Sequence, residues 1–185
     1  YQLEGYDVIQ TVNDRYIIVG FEDIDSRENW YNYVLMILKY NQNGIQEWKR
    51  NFDYDPIDDQ RNIGYSIEET TDGGYIIVGR YRYDFTYYTW LIKTDSDGNE
   101  EWSQTFDHPD NGSLRKDIQQ TSDGGYIFAN GSLIKTDTQG NEEWINANIN
   151  VSSLNLTTDG GFICVGEKNE NIFLMKTNSQ GQLLP

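Results

Sequence analysis

The sequence predicts an all-β fold, a small β-propeller of four blades, each a short four-stranded antiparallel sheet. Three observations predict it: one phrase recurs four times, the copies are spaced as propeller blades are, and each copy alternates short apolar runs with Gly- and Asn-rich turns. The clearest copy runs Thr71-Asp72-Gly73-Gly74-Tyr75-Ile76-Ile77-Val78-Gly79, then Leu91-Ile92-Lys93-Thr94-Asp95, then Gly98-Asn99-Glu100-Glu101-Trp102. The next has Ser122-Asp123-Gly124-Gly125-Tyr126-Ile127-Phe128, Leu133-Ile134-Lys135-Thr136-Asp137 and Gly140 to Trp144. The last has Thr158-Asp159-Gly160-Gly161-Phe162, Leu174-Met175-Lys176-Thr177-Asn178 and Gly181. The first diverges most, keeping Asn13-Asp14-Arg15-Tyr16, Ile37-Leu38-Lys39-Tyr40, Gly44 and Trp48. The lysines at 39, 93, 135 and 176 lie 54, 42 and 41 residues apart. From each lysine to the next Gly is five residues, so length varies elsewhere, as loops vary around a constant sheet.

Within a copy the elements follow in order. A first strand such as Ser66–Thr71 ends in the Asp-Gly-Gly turn, and a β-branched and aromatic second strand begins at Tyr75. The third strand carries Trp90 to Thr94, and the fourth follows Gly98 and carries Trp102. Between them Asp95 to Asn99 has hairpin residues, because Gly and Asn accept positive φ at low cost. In the third copy Asn130-Gly131 predicts a two-residue hairpin. The strands are apolar on both faces, as Ile76, Ile77 and Val78 show, so each sheet needs neighbours on two sides, which radial stacking provides. The repeats cover approximately 6–52, 64–106, 115–149 and 152–185 of one domain, with residues 1–5 expected to complete the last blade.

Composition narrows the function. Thirty acidic against fourteen basic residues give a net charge of −16, which repels phosphate backbones and anionic membranes and argues against nucleic-acid binding. No run approaches the roughly 20 apolar residues of a membrane span, and Tyr1 opens no signal-peptide pattern. The single cysteine, Cys164, lies in an apolar run and reads as a small buried hydrophobe.

The repeated phrases resemble the tandem-repeat β-propellers of secreted and cell-surface bacterial and archaeal proteins, over nearly the whole chain. That resemblance implies a blade-like fold and an extracellular or surface location, and no particular activity. Sialidase-type Asp boxes, Ser-x-Asp-x-Gly-x-x-Trp, do not match: Gly98 to Trp102 is one residue too long, and Asp97 adjoins the glycine.

No catalytic constellation is expected, and the chain reads as a non-enzyme. His108 sits in an ordinary Pro-, Asn- and Gly-marked loop, and a glycoside hydrolase using paired carboxylates is the most distant alternative. No cofactor is expected. Asp95 and Asp97 superficially suggest weak calcium binding, but the segment lacks an EF-hand's length and final glutamate, and a hairpin turn explains it better. Aromatic inserts are the candidates for interface or sugar stacking: Trp30, Tyr31 and Tyr33 in copy one, and Tyr81, Tyr83, Phe85, Tyr87 and Tyr88 in copy two. Packing between blades is the competing explanation. Four Asn-x-Ser/Thr sequons, at Asn111, Asn130, Asn150 and Asn155, exceed the roughly two that chance predicts and mark candidate glycosylation sites. The expected function is an acidic, extracellular structural or interaction module, a glycosylated subunit of a surface assembly or fibre. Its expected partners are other subunits, copies of itself among them. A carbohydrate-binding propeller is the alternative.

Overall fold

The computed structural model describes residues 2–24, 32–54, 61–107, 116–168 and 171–184. These contain fourteen antiparallel strands and no helix, in two compact units, residues 1–109 and 110–185.

In the first unit, β1 (Leu3–Gln10), β2 (Tyr16–Asp23), β3 (Tyr33–Tyr40) and β4 (Gln46–Phe52) form one sheet in sequence order. A second sheet repeats the order with β5 (Ile63–Glu69), β6 (Tyr75–Tyr83), β7 (Thr86–Thr94) and β8 (Glu100–Phe106). The registers superimpose: Asp7 pairs Val19 as Ser66 pairs Val78, each just past a bulge that follows Gly5 or Gly64. The core lies between the sheets. Ile17, Val19, Leu35 and Ile37 of the first face Ile67, Tyr75, Ile77 and Ile92 of the second, all essentially buried. Gly64 permits the approach, since a Cβ there would lie 2.3 Å from a Val19 methyl.

The second unit departs from the expectation of two four-stranded sheets. β9 (Asp117–Gln120), β10 (Tyr126–Ala129) and β11 (Gly131–Thr136) are followed by one 15-residue strand, β12 (Glu142–Leu156), then β13 (Phe162–Lys168) and β14 (Asn171–Thr177). All six form a single sheet. β12 serves as fourth strand of repeat three through Leu133↔Asn146, and as first strand of repeat four through Leu154↔Cys164. The reason is local: between Trp144 and Leu156 there is no Gly or Pro to turn the chain, and from Ile145 to Val151 apolar and polar residues alternate. The expected hairpin at Asn130-Gly131 is also longer, because Ala129 pairs Leu133 and residues 130–132 make the turn. Ile127, Ala129 and Leu133 pack on Leu154, Phe162, Cys164 and Met175, which repeats the core of the first unit.

At the chain ends, Leu3, Glu4 and Gly5 pair with Glu22, Phe21 and Gly20. Instead of completing the last blade as expected, they extend the ladder of the first sheet. Repeat four has only a stub of a fourth strand, where Leu183 bridges Thr177 and the Leu184 N–H donates to the Lys176 carbonyl.

A carboxylate clasp ties the repeats into pairs. Asp7 Oδ2 accepts from Ser66 Oγ at 3.0 Å and from the Ile67 N–H at 3.1 Å. In the second unit Asp117 Oδ2 accepts from Ser153 Oγ at 2.8 Å and the Leu154 N–H at 2.9 Å. Residues 7, 66, 117 and 153 hold the same register position, occupied in turn by Asp, Ser, Asp and Ser.

Candidate functional site

The Asp-Gly-Gly turns are locked from below by the repeat lysines. Asp72 Oδ1 accepts from Thr70 Oγ1 and from the Gly74 N–H, and Lys93 Nζ donates to Asp72, to Glu101 and to the Thr94 carbonyl. Lys135 does the same with Asp123, Glu143 and the Thr136 carbonyl. Burial alone would raise the Asp72 pKa, but the bonds from Thr70, Lys93 and Gly74 outweigh it and hold the carboxyl at about 2. In repeat four Lys176 and Thr157 bond Asp159 and lower its pKa. The first copy solves the turn differently. Arg15 stands where the others have the second glycine, pairs Glu47 at 2.9 Å, and releases Lys39 to reach the Ser96 carbonyl of the second sheet. The donors of the buried Lys93 and Lys135 are therefore spent on the frame.

The Asp95 segment is a hairpin turn. Asp95 Oδ1 accepts from the Asp97 and Asn99 N–H groups and Oδ2 from Asn99 Nδ2; these bonds, the Asn99 side chain foremost, lower the Asp95 pKa. Asp137 repeats the pattern with Gln139 and Asn141. Asp97 is exposed, and the described residues hold no group of three or more His, Cys, Asp or Glu placed to hold a metal ion.

The aromatic insert of copy two forms the hairpin of β6 and β7, and its two faces differ. On one face Tyr81 stacks between Tyr54 (3.9 Å) and Tyr88 (5.2 Å), with Trp90 meeting Tyr54 edge-on at 5.6 Å. Tyr81 and Trp90 are buried in the core and Tyr88 packs against it, so packing accounts for these residues. Burial, with a hydrogen bond to Tyr54, raises the Tyr81 pKa. On the other face Arg80 lies 4.4 Å over the Tyr87 ring and Arg82 5.0 Å over the Phe85 ring, while Arg61 Nη1 donates to the Tyr87 hydroxyl. Three of the chain's seven arginines thus line one aromatic strip of an acidic protein.

At the tip, Tyr83 pairs Thr86, and Asp84 and Phe85 both take positive φ, 45° and 62°. A two-residue turn of this hand favours Asn-Gly. Phe85 occupies the position suited to glycine, with its ring 80% exposed, and Tyr83 beside it is half exposed.

The remaining candidates divide. Tyr33 packs on Phe21 at 4.3 Å, whereas Trp30, Tyr31 and His108 lie outside the described residues. Asn150 and Asn155 are exposed on β12, and Asn111 lies outside the described residues. Asn130 corrects the expectation of an accessible tip: it is 3% exposed, and its Oδ1 accepts from the Ser132 N–H. Cys164 is fully buried, and burial together with the Asp117 charge pushes its thiol up to about 11. Two features escaped the sequence reading, the arginine strip and the Asp/Ser clasp. Arg80 and Arg82 at strand period were a signal for the first; the second depends on the register between sheets.

No protein-family model and no curated protein matches the chain. Among solved structures the chain is similar to CoXyl43, a GH43 beta-xylosidase/alpha-arabinofuranosidase from a compost microbial metagenome, in complex with xylotriose in a calcium-free form. The TM-score is 0.53 at 10% identity, over 98% of this chain and 76% of that one. At that identity the likeness concerns the fold alone, which is β-propeller-like and all-β.

Proposed function

We propose that this chain is a non-enzymatic structural and interaction module, extracellular or at the cell surface, whose four repeats act as the blades of one propeller domain. Its role is that of a glycosylated subunit in a surface assembly or fibre, with Asn150 and Asn155 the sequons best presented for modification. The observation that supports it most is Phe85. A large apolar ring is held in water at a left-handed position, where it costs about 1 kcal/mol more than glycine. Backbone strain kept at an exposed tip is a mark of a binding site. The arginines behind it suit an acidic partner surface.

Glycan binding is the second reading, favoured by Tyr83 and Phe85 standing together at the tip, since exposed rings of this kind also stack on sugars. Sedimentation of the purified chain, with a glycan array that includes xylo-oligosaccharides, separates the two. Phe85→Gly is expected to raise thermal stability by up to about 1 kcal/mol and to reduce self-association. A wild-type chain that stays monomeric, yet binds an array glycan and loses it with Phe85→Gly, hands the tip to sugar recognition.

A further inference from the structure

Most cations of the first unit have an acceptor within it. Lys93 is held by Asp72, Glu101 and the Thr94 carbonyl, Arg15 pairs Glu47, and Lys49 pairs Glu22. Lys39 donates to the Ser96 carbonyl and Arg50 to the Lys49 carbonyl. Arg80, on β6, differs. Its Nε is buried with no acceptor among the described residues, and no carboxylate of those residues pairs with it. Its neighbours are aromatic instead: the guanidinium lies 4.4 Å over the Tyr87 ring and 5.6 Å over the Tyr65 ring. Rings attract the charge but leave the N–H edge without a strong acceptor. Buried donors in native proteins are seldom left so, least of all in a chain with thirty acidic residues.

Arg80 belongs to a strip with a definite order, all of it on the first unit. Tyr65 meets Tyr6 edge-on at 5.2 Å, Arg80 lies over Tyr65 and Tyr87, and Arg82 lies 5.9 Å over Tyr87 and 5.0 Å over Phe85. Tyr65 is buried and Tyr87 carries guanidinium groups over its ring, so rings open to a sugar stand only at the tip, at Tyr83 and Phe85. Behind the tip the strip offers N–H edges. Such edges fit carboxylates, two donors to two oxygens. Their interval is set by the strand: residues 80 and 82 project from one face of β6 about 7 Å apart. Side chains at alternate positions of a second extended chain repeat at that same interval.

We propose that Arg80 and Arg82 bind an extended acidic segment of a partner protein, one with Asp or Glu at alternate positions. This rests on the reading of the β6–β7 tip as an interaction site, and it supplies the chemistry of the partner. β6 is already paired on both sides, by β5 and β7, so the segment lies across the sheet face and its carboxylates, not its backbone, are recognised. The chain's charge of −16 repels such a segment at long range. At physiological salt that field fades beyond about 8 Å, and the arginines at the site decide.

Isothermal titration calorimetry of the whole chain tests this with a short peptide alternating Glu and Thr. Two controls accompany it, an isomer with its Glu residues grouped together and a version with Gln in place of Glu. The alternating peptide is expected to bind, more weakly as salt rises. The grouped isomer is expected to bind less tightly and the Gln version not at all. Arg80→Gln is expected to lower affinity at least about tenfold at an unchanged melting temperature, because Arg80 leaves no hydrogen-bonding partner behind. Arg80→Lys keeps the charge without the two-pronged edge, so it is expected to restore only part of the affinity, and it carries the test should the Gln variant fail to fold. The proposal is overturned by full affinity in the Arg80 variants, by equal affinity for the two isomers, or by no binding of the alternating peptide. Binding of oligogalacturonate alone, lost in Arg80→Gln, also overturns it and gives the site to acidic glycans. Self-association that depends on Phe85 while no peptide binds removes the carboxylate site and leaves the assembly role standing.

Discussion

Asp72, Asp123 and Asp159 share a task at the level of single residues: each closes its turn by accepting from a threonine hydroxyl and a glycine N–H, with a lysine beneath. Ion pairs with exposed partners contribute little alone, and Asp72 and Glu101 are 59% and 47% exposed, so water screens them. The buried Lys93 is what raises the stakes, because losing Asp72 would leave a charge that is only 3% exposed with Glu101 in place of two carboxylates. The three aspartates have depressed pKa values. Their stabilisation is therefore complete above the ordinary carboxylate range, near about 4, and is lost as pH falls through the folded values, about 2 for Asp72. Melting temperatures should fall most steeply between those limits. Asp72→Asn should melt lower at neutral pH with a shallower acid slope, and an unchanged slope would count against the clamp.

At the scale of elements, the turn sequence Asp-Gly-Gly is a packing requirement as much as a conformational one. Gly73 takes φ 83°, but Gly74 is needed for space: a Cβ there would lie 2.0 Å from the Thr94 carbonyl oxygen and 2.7 Å from Lys93 Nζ. Gly74→Ala should destabilise by about 2–3 kcal/mol, read as a lower urea midpoint with the transition slope unchanged. A neutral result would mean that Lys93 withdraws as Lys39 does beside Arg15. Strands and turns of this kind were legible in the sequence because their causes are local: β-branched runs, Gly at positive φ, and a constant lysine-to-glycine spacing. The fusion of two strands into β12 was not, since the repeat phrase marks where strands occur and says nothing of whether a turn separates one copy from the next. The aromatic insert was legible as a site but not in its division, which depends on which hairpin face meets Tyr54 and which meets Arg61.

At the scale of the paired repeats, the alternation of Asp and Ser at residues 7, 66, 117 and 153 ties repeat one to two within the first unit and repeat three to four within the second. The clasp needs a carboxylate on the leading repeat of a pair and a short hydroxyl on the following one. Ser66 and Ile67 are buried, so Asp7→Ala leaves two donors unpaired and should cost roughly 2–4 kcal/mol in the first unit. Asp117→Ala should act likewise on the second. Hydrogen exchange on the two variants should show lowered protection confined to residues 1–109 in one and 110–185 in the other. Equal loss across the chain in both would refute the pairwise organisation. This level of structure lay beyond the sequence reading, which saw each serine and aspartate but had no register between sheets with which to bring them together.

The continuous strand β12 bears on how such a chain can change over evolutionary time. Between repeats one and two, β4 ends at Phe52 and β5 begins at Ile63, so each repeat has a strand of its own. Between repeats three and four β12 runs unbroken from Glu142 to Leu156, its pairing with β13 shifted between Val151 and Ser153, so a residue inserted or deleted elsewhere in it would invert the facing of the strand on one side of the change. Trp144 would lose its seat on Gly181, or Leu154 its place in the core. A change of length in that shared strand therefore reaches repeats three and four together.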